Sequence, residues 1–248
     1  MKIDYAIVST DGNALYDGFE EIVKKVWFPL LGVKPIIVKI CDSNFVEEHD
    51  DHLVVGYKKV DGVNTGLQSQ IARLYATSLF KDKTFLISDL DMIPLSKSYF
   101  VDNAEKVDEN SVLIYTADAY GYKNQKRYPM CYNLAKGSTY HEIMNFEDTF
   151  EEFVLKLSSM NLGWDTDELF WGGCVYDFEE KFPERIVKLQ RGFADGFATK
   201  RIDRCNWHHP KNDFSKISQG EYIDSHMLRP YKSYKHQIDN LINLLELK

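Results

Sequence analysis

The chain has 248 residues, of which 44% are hydrophobic and 27% charged, and its formal net charge is -8. That length and balance suit one soluble globular domain with a full core. The acidic surplus argues against a nucleic-acid groove, which would need a basic stripe.

In chain order, residues 3–8 are expected to form a first strand, followed by a polar turn at 9–13. A helix is expected over 14–28, with Phe19, Ile22, Val23 and Val26 on one face. The nearly all-apolar strand at 35–40 reads as parallel and covered on both faces, and a short strand follows at 53–55. A second helix over 66–80 buries a stripe of Leu67, Ile71, Leu74, Tyr75 and Leu79, then leads to a strand at 84–88. The first hundred residues therefore read βαβ(β)αβ, an open α/β sheet whose ligands belong at the carboxyl ends of its strands. Further on, strands at 112–115 and 130–133 flank a polar, Tyr-rich loop at 118–128. An amphipathic helix over 146–159 carries Phe150, Phe153, Val154 and Leu157. A loop follows at 160–171, and a last helix spans 233–247 with Ile238, Leu241, Ile242 and Leu245 at helical spacing. No repeat or linker interrupts the chain, so one domain over 1–248 is expected.

Cys41, Cys131, Cys174 and Cys205 are far apart and form no Cys-x-x-Cys pair, which gives zinc no support and points to reduced thiols. No apolar run is long enough to span a bilayer, and the chain enters a strand without a leader. A soluble cytoplasmic protein of bacterial or viral origin is the expectation. The aromatic share of 14% suits ring stacking on sugars or bases, and equally core filling.

The most informative segment is Thr84-Phe-Leu-Ile-Ser-Asp-Leu-Asp-Met-Ile-Pro94. A buried strand that runs into Asp89 and Asp91 puts two carboxylates at a sheet edge, where their joint charge calls for a cation. Hard oxygen donors suit Mg²⁺ or Mn²⁺, ions that keep positions open for phosphate oxygens. The bland alternative is a pair of solvated aspartates capping a turn.

Together these elements resemble the GT-A fold of nucleotide-sugar glycosyltransferases. The resemblance rests on Ser88-Asp-Leu-Asp91, on Gln70 and Arg73 in the preceding helix, on the acidic, Trp-containing loop at 163–168, and on a His-containing tail at 208–226. It implies an α/β fold, a single Rossmann-related GT-A-like domain with a mixed, mostly parallel sheet flanked by helices. Residues 1–100 would be the nucleotide-binding half, and 101–248 the acceptor-side half with the C-terminal helix. The implied activity is metal-dependent transfer of a sugar from a nucleotide-sugar donor to a hydroxyl acceptor such as a glycan. UDP is the implied nucleotide by family prevalence, and Mn²⁺ or Mg²⁺ the cofactor.

By that resemblance Asp91 would ligate the metal, and Asp89 would touch the ribose or reach the metal through water. His226 would complete the metal shell in preference to His208 or His209, with Arg229 or Lys211 on phosphate. Ser9, Thr10 and Asp11 would face base and ribose, and Tyr16 would stack on the base; the same polar run also reads as a helix N-cap. Gln70 and Arg73 share one helix face. Arg73 would serve the donor as a forked donor of hydrogen bonds, or else pair with Asp89 or another carboxylate as scaffold. Gly163-Trp-Asp-Thr-Asp-Glu168 resembles an acceptor loop, with Trp164 and Asp167 on the acceptor. Asp165, Asp167 and Glu168 are the candidates for the base that inversion needs, although acids in a helix's first turn are also favoured by its dipole alone. Competing readings are a haloacid-dehalogenase-type phosphatase with Asp89 as nucleophile, a sugar nucleotidyltransferase, and a non-catalytic sugar-nucleotide-binding module.

Overall fold

Segments rich in Val and Ile supply the middle of a large sheet, because strands buried on both faces need apolar side chains in both directions. A computed structural model describes residues 1–120, 126–145, 147–194, 197–198, 200–245 and 247. In chain order the elements are β1 (Tyr5–Thr10), α1 (Phe19–Leu31), β2 (Lys34–Cys41), β3 (Phe45–Glu48), β4 (Leu53–Lys58), α2 (Thr65–Tyr75), β5 (Thr84–Ile87) and β6 (Met92–Pro94). They continue with α3 (Asn103–Glu105), β7 (Val112–Ile114), β8 (Asn133–Lys136), α4 (Gly137–Met144), α5 (Phe150–Ser159), α6 (Thr166–Glu179) and β9 (Ile186–Lys188). The last are β10 (Phe193–Ala194), β11 (Phe197–Ala198), β12 (Arg201–Ile202), β13 (Asp224–His226) and α7 (Tyr231–Asn243).

The main sheet has the order β3-β4-β2-β1-β5-β8-β7-β9. β4, β2, β1 and β5 run parallel, β3 and β8 oppose their neighbours, and β9 is parallel to β7. Both halves of the chain thus share one mixed α/β sheet. Strand alternation divides the core. Ala6, Val8, Ile37, Leu86 and Leu113 face α1 and α7, while Ile7, Ile36, Val38, Phe85, Ile87 and Ile114 face α2, α4, α5 and α6. Each fully buried Ile, Leu or Phe in these layers contributes about 1.5–3 kcal/mol of transfer free energy. A second sheet, β12-β13-β6, hangs from the end of β5, with β13 antiparallel to β6. Among the described residues no helix is long and apolar enough to cross a membrane.

Several expected boundaries move. β1 pairs with β2 from Tyr5 to Thr10, so Ser9 and Thr10 belong to the strand and not to the turn after it. α1 begins only at Phe19, behind Gly18 at φ 97°, so residues 9–13 do not cap it. A Cβ on Gly18 would stand 2.3 Å from the Tyr231 ring, so close packing against α7 also keeps this position bare. α5 starts at Phe150 because Thr149 and Glu152 form a capping box there; Phe146 lies outside the described residues. The expected loop at 160–171 turns helical at Thr166. β8 lies three residues later than expected, and α4 follows it directly. In α4, Gly137 sits where a Cβ would meet the Phe80 carbonyl oxygen at 2.4 Å. The last helix ends at Asn243. Residues 121–125 of the Tyr-rich loop, and 246 of the expected last helix, are outside the described residues.

Candidate functional site

A cavity of about 710 Å³ opens at the carboxyl ends of β1 and β5, between α2, α6 and the second sheet. Of the residues expected at a donor, metal or acceptor site, Ser9, Thr10, Asp11, Tyr16, Gln70, Arg73, Asp89, Asp91, Trp164, Asp165, Asp167, Glu168, His226 and Arg229 line it. His208, His209 and Lys211 do not.

Arg73 forms the centre. It is carried into the cavity by α2, whose start is fixed by Asn64 accepting from the Leu67 amide. Its guanidinium, only 7% exposed, donates to Asp167 Oδ2 from Nε at 3.1 Å and from Nη2 at 2.5 Å, and pairs with Asp89 through Nη1. Burial opposes its charge, but Asp167 and Asp89 outweigh burial and raise its pKa. Asp167 is 1% exposed and also accepts from the Glu168 amide at 2.9 Å. Arg73 therefore binds β5 to α6 through two carboxylates.

Asp91 lies two residues on and faces different partners. Its Oδ2 accepts from Arg204 Nη1 at 2.5 Å and lies 3.6 Å from both His226 Nε2 and Arg229 Nε. Burial raises its pKa, and the His226 hydrogen bond with the charges of His226, Arg204 and Arg229 more than reverses this, so the net shift is downward. The antiparallel register of β13 on β6, with His226 opposite Met92, brings the imidazole to Asp91. The other ring nitrogen, Nδ1, lies 3.5 Å from Asp203. Burial lowers the His226 pKa, but Asp203 and Asp91 raise it further, and the net direction is up. Asp203 is itself held below the ordinary carboxylate range: burial works against it, and His226 and the Cys205 amide win. Arg229 hydrogen-bonds the Tyr16 hydroxyl and stands 5.0 Å from that ring's centre.

At the mouth Asp165, just before α6, and Glu168 in its first turn supply a second acidic group. Arg127 holds Glu168 Oε2 from Nε at 2.7 Å and Asp165 Oδ1 from Nη2 at 2.9 Å, with its guanidinium 4.1 Å over the Tyr120 ring. The Tyr120 hydroxyl also donates to Glu168, at 2.8 Å. Burial, then the neighbouring Asp167 charge, push the Glu168 pKa up against Tyr120 and Arg127. Trp164 is 68% exposed, and its carbonyl oxygen accepts from Gln70 Nε2 at 3.0 Å. Asp11 accepts from the Thr65 hydroxyl at 2.9 Å.

The sequence reading missed Tyr120, Arg127 and Arg191, which come from loops without a motif. Arg201, Asp203 and Arg204 lie in a stretch whose histidines drew attention first, although the charged run Arg-x-Asp-Arg was a visible signal.

The cation expected at Asp-x-Asp has a partial donor set. Asp91 Oδ2 and His226 Nε2 are 3.6 Å apart and would have to close to about 3.0 Å to take adjacent octahedral positions around one ion of about 2.1 Å bond length. Asp203 on the far ring nitrogen supplies the carboxylate that commonly orients a ligating imidazole. Asp89 is turned to Arg73, and among the described residues no three of His, Cys, Asp and Glu gather around one point. Mg²⁺-type ions are often held by one or two protein donors, with phosphate oxygens and water filling the rest, so the residues present fit such an ion.

No family model matches the chain, and no curated protein matches its sequence. Among solved structures, the chain is similar to the galactosyltransferase LgtC in complex with donor and acceptor sugar analogs. The two share 11% identity over 98% of this chain and 96% of that one, with a TM-score of 0.49. The apo-form glycosyltransferase GlyE of Streptococcus pneumoniae TIGR4 aligns at 10% identity over 96% of this chain and 51% of that one, with a TM-score of 0.43.

Proposed function

We propose that the chain is a GT-A-type glycosyltransferase that moves a sugar from a nucleoside-diphosphate donor, UDP being the first candidate, to a hydroxyl acceptor with the help of Mn²⁺ or Mg²⁺. The observation that carries the reading is the group of Asp91, His226, Asp203, Arg204 and Arg229 at the carboxyl end of the β5 segment. It offers two metal donors and two guanidiniums within reach of one diphosphate, which a solvated turn would have no reason to assemble.

Asp91 and His226 would hold the ion, which when bound would neutralise the diphosphate and stabilise it as it leaves. Arg204 and Arg229 would donate to phosphate oxygens. Tyr16, Thr10 and Asp11, at the end of β1, would meet base and ribose. Arg73 would orient the donor sugar through its grip on Asp89 and Asp167, so that positioning supplies much of the rate. Of the three acids before and within α6, Asp167 serves Arg73, and Glu168 is the better general base: it lines the cavity and its raised pKa favours proton uptake. Trp164 would pack on the acceptor ring.

The experiment is calorimetric titration of UDP and GDP, with Mn²⁺ and with EDTA, on the wild type and Asp91→Asn. Binding that needs both Mn²⁺ and Asp91 supports the reading. Mn²⁺-dependent UDP binding that survives unchanged in Asp91→Asn removes the metal assignment, and release of inorganic phosphate from phosphomonoesters with no nucleotide binding would favour the phosphatase.

A further inference from the structure

Arg127 does not line the cavity, yet it is built against a group that does. Glu168 stands in the first turn of α6, and Gly172 lies one turn further along the same face. A Cβ at Gly172 would stand 2.5 Å from the Lys126 carbonyl oxygen and 2.7 Å from Arg127 Cα, so the bare position lets the backbone of 126–127 lie directly on the helix. Lys126 adds a second tie to α6 by donating to Asp177 at 3.0 Å. This close approach delivers the Arg127 guanidinium to Glu168.

The two Glu168 oxygens are held differently. Oε2 lies 2.7 Å from Arg127 Nε and 2.5 Å from Nη2. The Tyr120 hydroxyl stands 2.8 Å from Oε1 and 2.9 Å from Oε2, with one proton to give. A carboxylate oxygen offers about two acceptor sites, so the guanidinium fork fills Oε2 while Oε1 keeps a site open. Asp165 accepts from the same Nη2 at 2.9 Å and the Tyr120 ring lies 4.1 Å from the guanidinium, so the fork cannot swing away without breaking both contacts. The charged and titratable groups that face Glu168 are Tyr120 and Arg127 from one side, Asp165 and Asp167 at the start of α6 and, behind Asp167, Arg73 of α2. Burial and Asp167 favour the protonated carboxyl, and Tyr120 and Arg127 oppose them. A carboxyl that already holds its proton cannot take another, so the base depends on that opposition.

We propose that Arg127 is a positioning residue for sugar transfer, which keeps Glu168 ionised and turned so that Oε1 is the oxygen that takes the acceptor's proton. This rests on the glycosyltransferase reading and adds to it the residue on which its base depends. In the step, the acceptor hydroxyl's proton passes to Oε1 while the hydroxyl oxygen bonds to the anomeric carbon. The bond from that carbon to the diphosphate breaks, and its electron pair leaves on the phosphate oxygen.

The test uses the whole chain as wild type, Arg127→Met and Arg127→Lys, with Glu168→Gln to identify the Glu168 signal. The carboxyl carbons of isotope-labelled glutamate are titrated by NMR. UDP release from UDP-glucose and UDP-galactose with Mn²⁺ is followed over the same pH range, with water as the acceptor. Arg127→Met should raise the Glu168 midpoint by at least about one pH unit, the scale for losing an opposite charge in contact, and the acid limb of UDP release should move with it. Arg127→Lys keeps the charge but not the fork, so the midpoint should stay near the wild-type value while the rate falls across the range. UDP affinity with Mn²⁺ should be the same in all three. An Arg127→Met whose Glu168 midpoint does not move overturns the proposal but leaves the glycosyltransferase reading standing, because Arg127 then only holds its backbone on α6. A wild-type acid limb that does not follow the Glu168 midpoint also overturns it, since Glu168 is then not the base. No binding of UDP in any condition overturns both. The NMR midpoint decides the ionisation of Glu168 without any turnover.

Discussion

Replacing Arg73 by Met tests the central ion-pair network. In the wild type the guanidinium donates twice to Asp167, once to the Ser88 carbonyl oxygen at 3.4 Å, and pairs with Asp89. The variant keeps the side-chain volume and leaves Asp167, 1% exposed, without a cation and without access to water. Stranding one member of a buried pair costs about 3–5 kcal/mol. For a domain of this size each kcal/mol moves Tm by about 2–4 °C, so the loss should be about 10 °C. Asp167→Asn should cost less, about 1–2 kcal/mol, since the amide oxygen still accepts and Arg73 keeps Asp89. The double variant should fall short of the sum by about 2 kcal/mol, the signature of two groups in direct contact. Scanning calorimetry of the four proteins at pH 7.5 gives the cycle. If Arg73→Met lowers Tm by less than about 2 °C, or the two changes simply add, the network is not stabilising the junction of β5 and α6.

Trp164→Ala should leave stability within about 0.5 kcal/mol, as exposed positions do, while raising KM for the acceptor and sparing donor affinity; initial-rate kinetics against each substrate separate these. Gly172→Ala would bring a Cβ to 2.5 Å from the Lys126 carbonyl oxygen and 2.7 Å from Arg127 Cα. The cost should be about 1–3 kcal/mol, whereas Gly173→Ala, with nothing within 4 Å, should be neutral or stabilising in the same melting assay. Because the Glu168 pKa is raised in the fold, the folded state holds its proton more tightly than the unfolded chain. The resulting stability is present below the ordinary carboxylate pKa and is lost as pH rises through the folded value. Glu168→Gln should therefore gain Tm relative to the wild type between pH 4 and 8, and a constant difference across that window would contradict the assignment.

The apolar strands were legible because burial on both faces leaves a composition signal, and Asp89 with Asp91 because a motif follows such a strand directly. β6, β12 and β13 were not, since strands of two or three residues carry no periodicity; yet these short pairings bring Asp203 and His226 to Asp91 and fix Arg201 on Asp224. The start of α6 was read only as a suggestion within a loop, because Thr166, Asp167 and Glu168 are as common in turns as in a helix's first turn. Arg73 was left between a donor role and a scaffold ion pair; it pairs with Asp89 and Asp167 and also lines the cavity. Which acid it would choose could not be read from spacing, as Asp167 is far from it in sequence.

Asp89 and Asp91 sit on one turn but belong to different neighbourhoods. Asp89 leads through Arg73 to α2 and α6, and Asp91 leads through His226 and Arg204 to the C-terminal strands. The Ser88–Asp91 turn is therefore the covalent link between two ion-pair networks. A ligand that draws Asp91 away from Arg204 would act within the same four residues that carry the Ser88 carbonyl oxygen and the Asp89 carboxylate, which hold Arg73. Filling one end of the cavity should be felt at the other through a link four residues long, without any domain having to move.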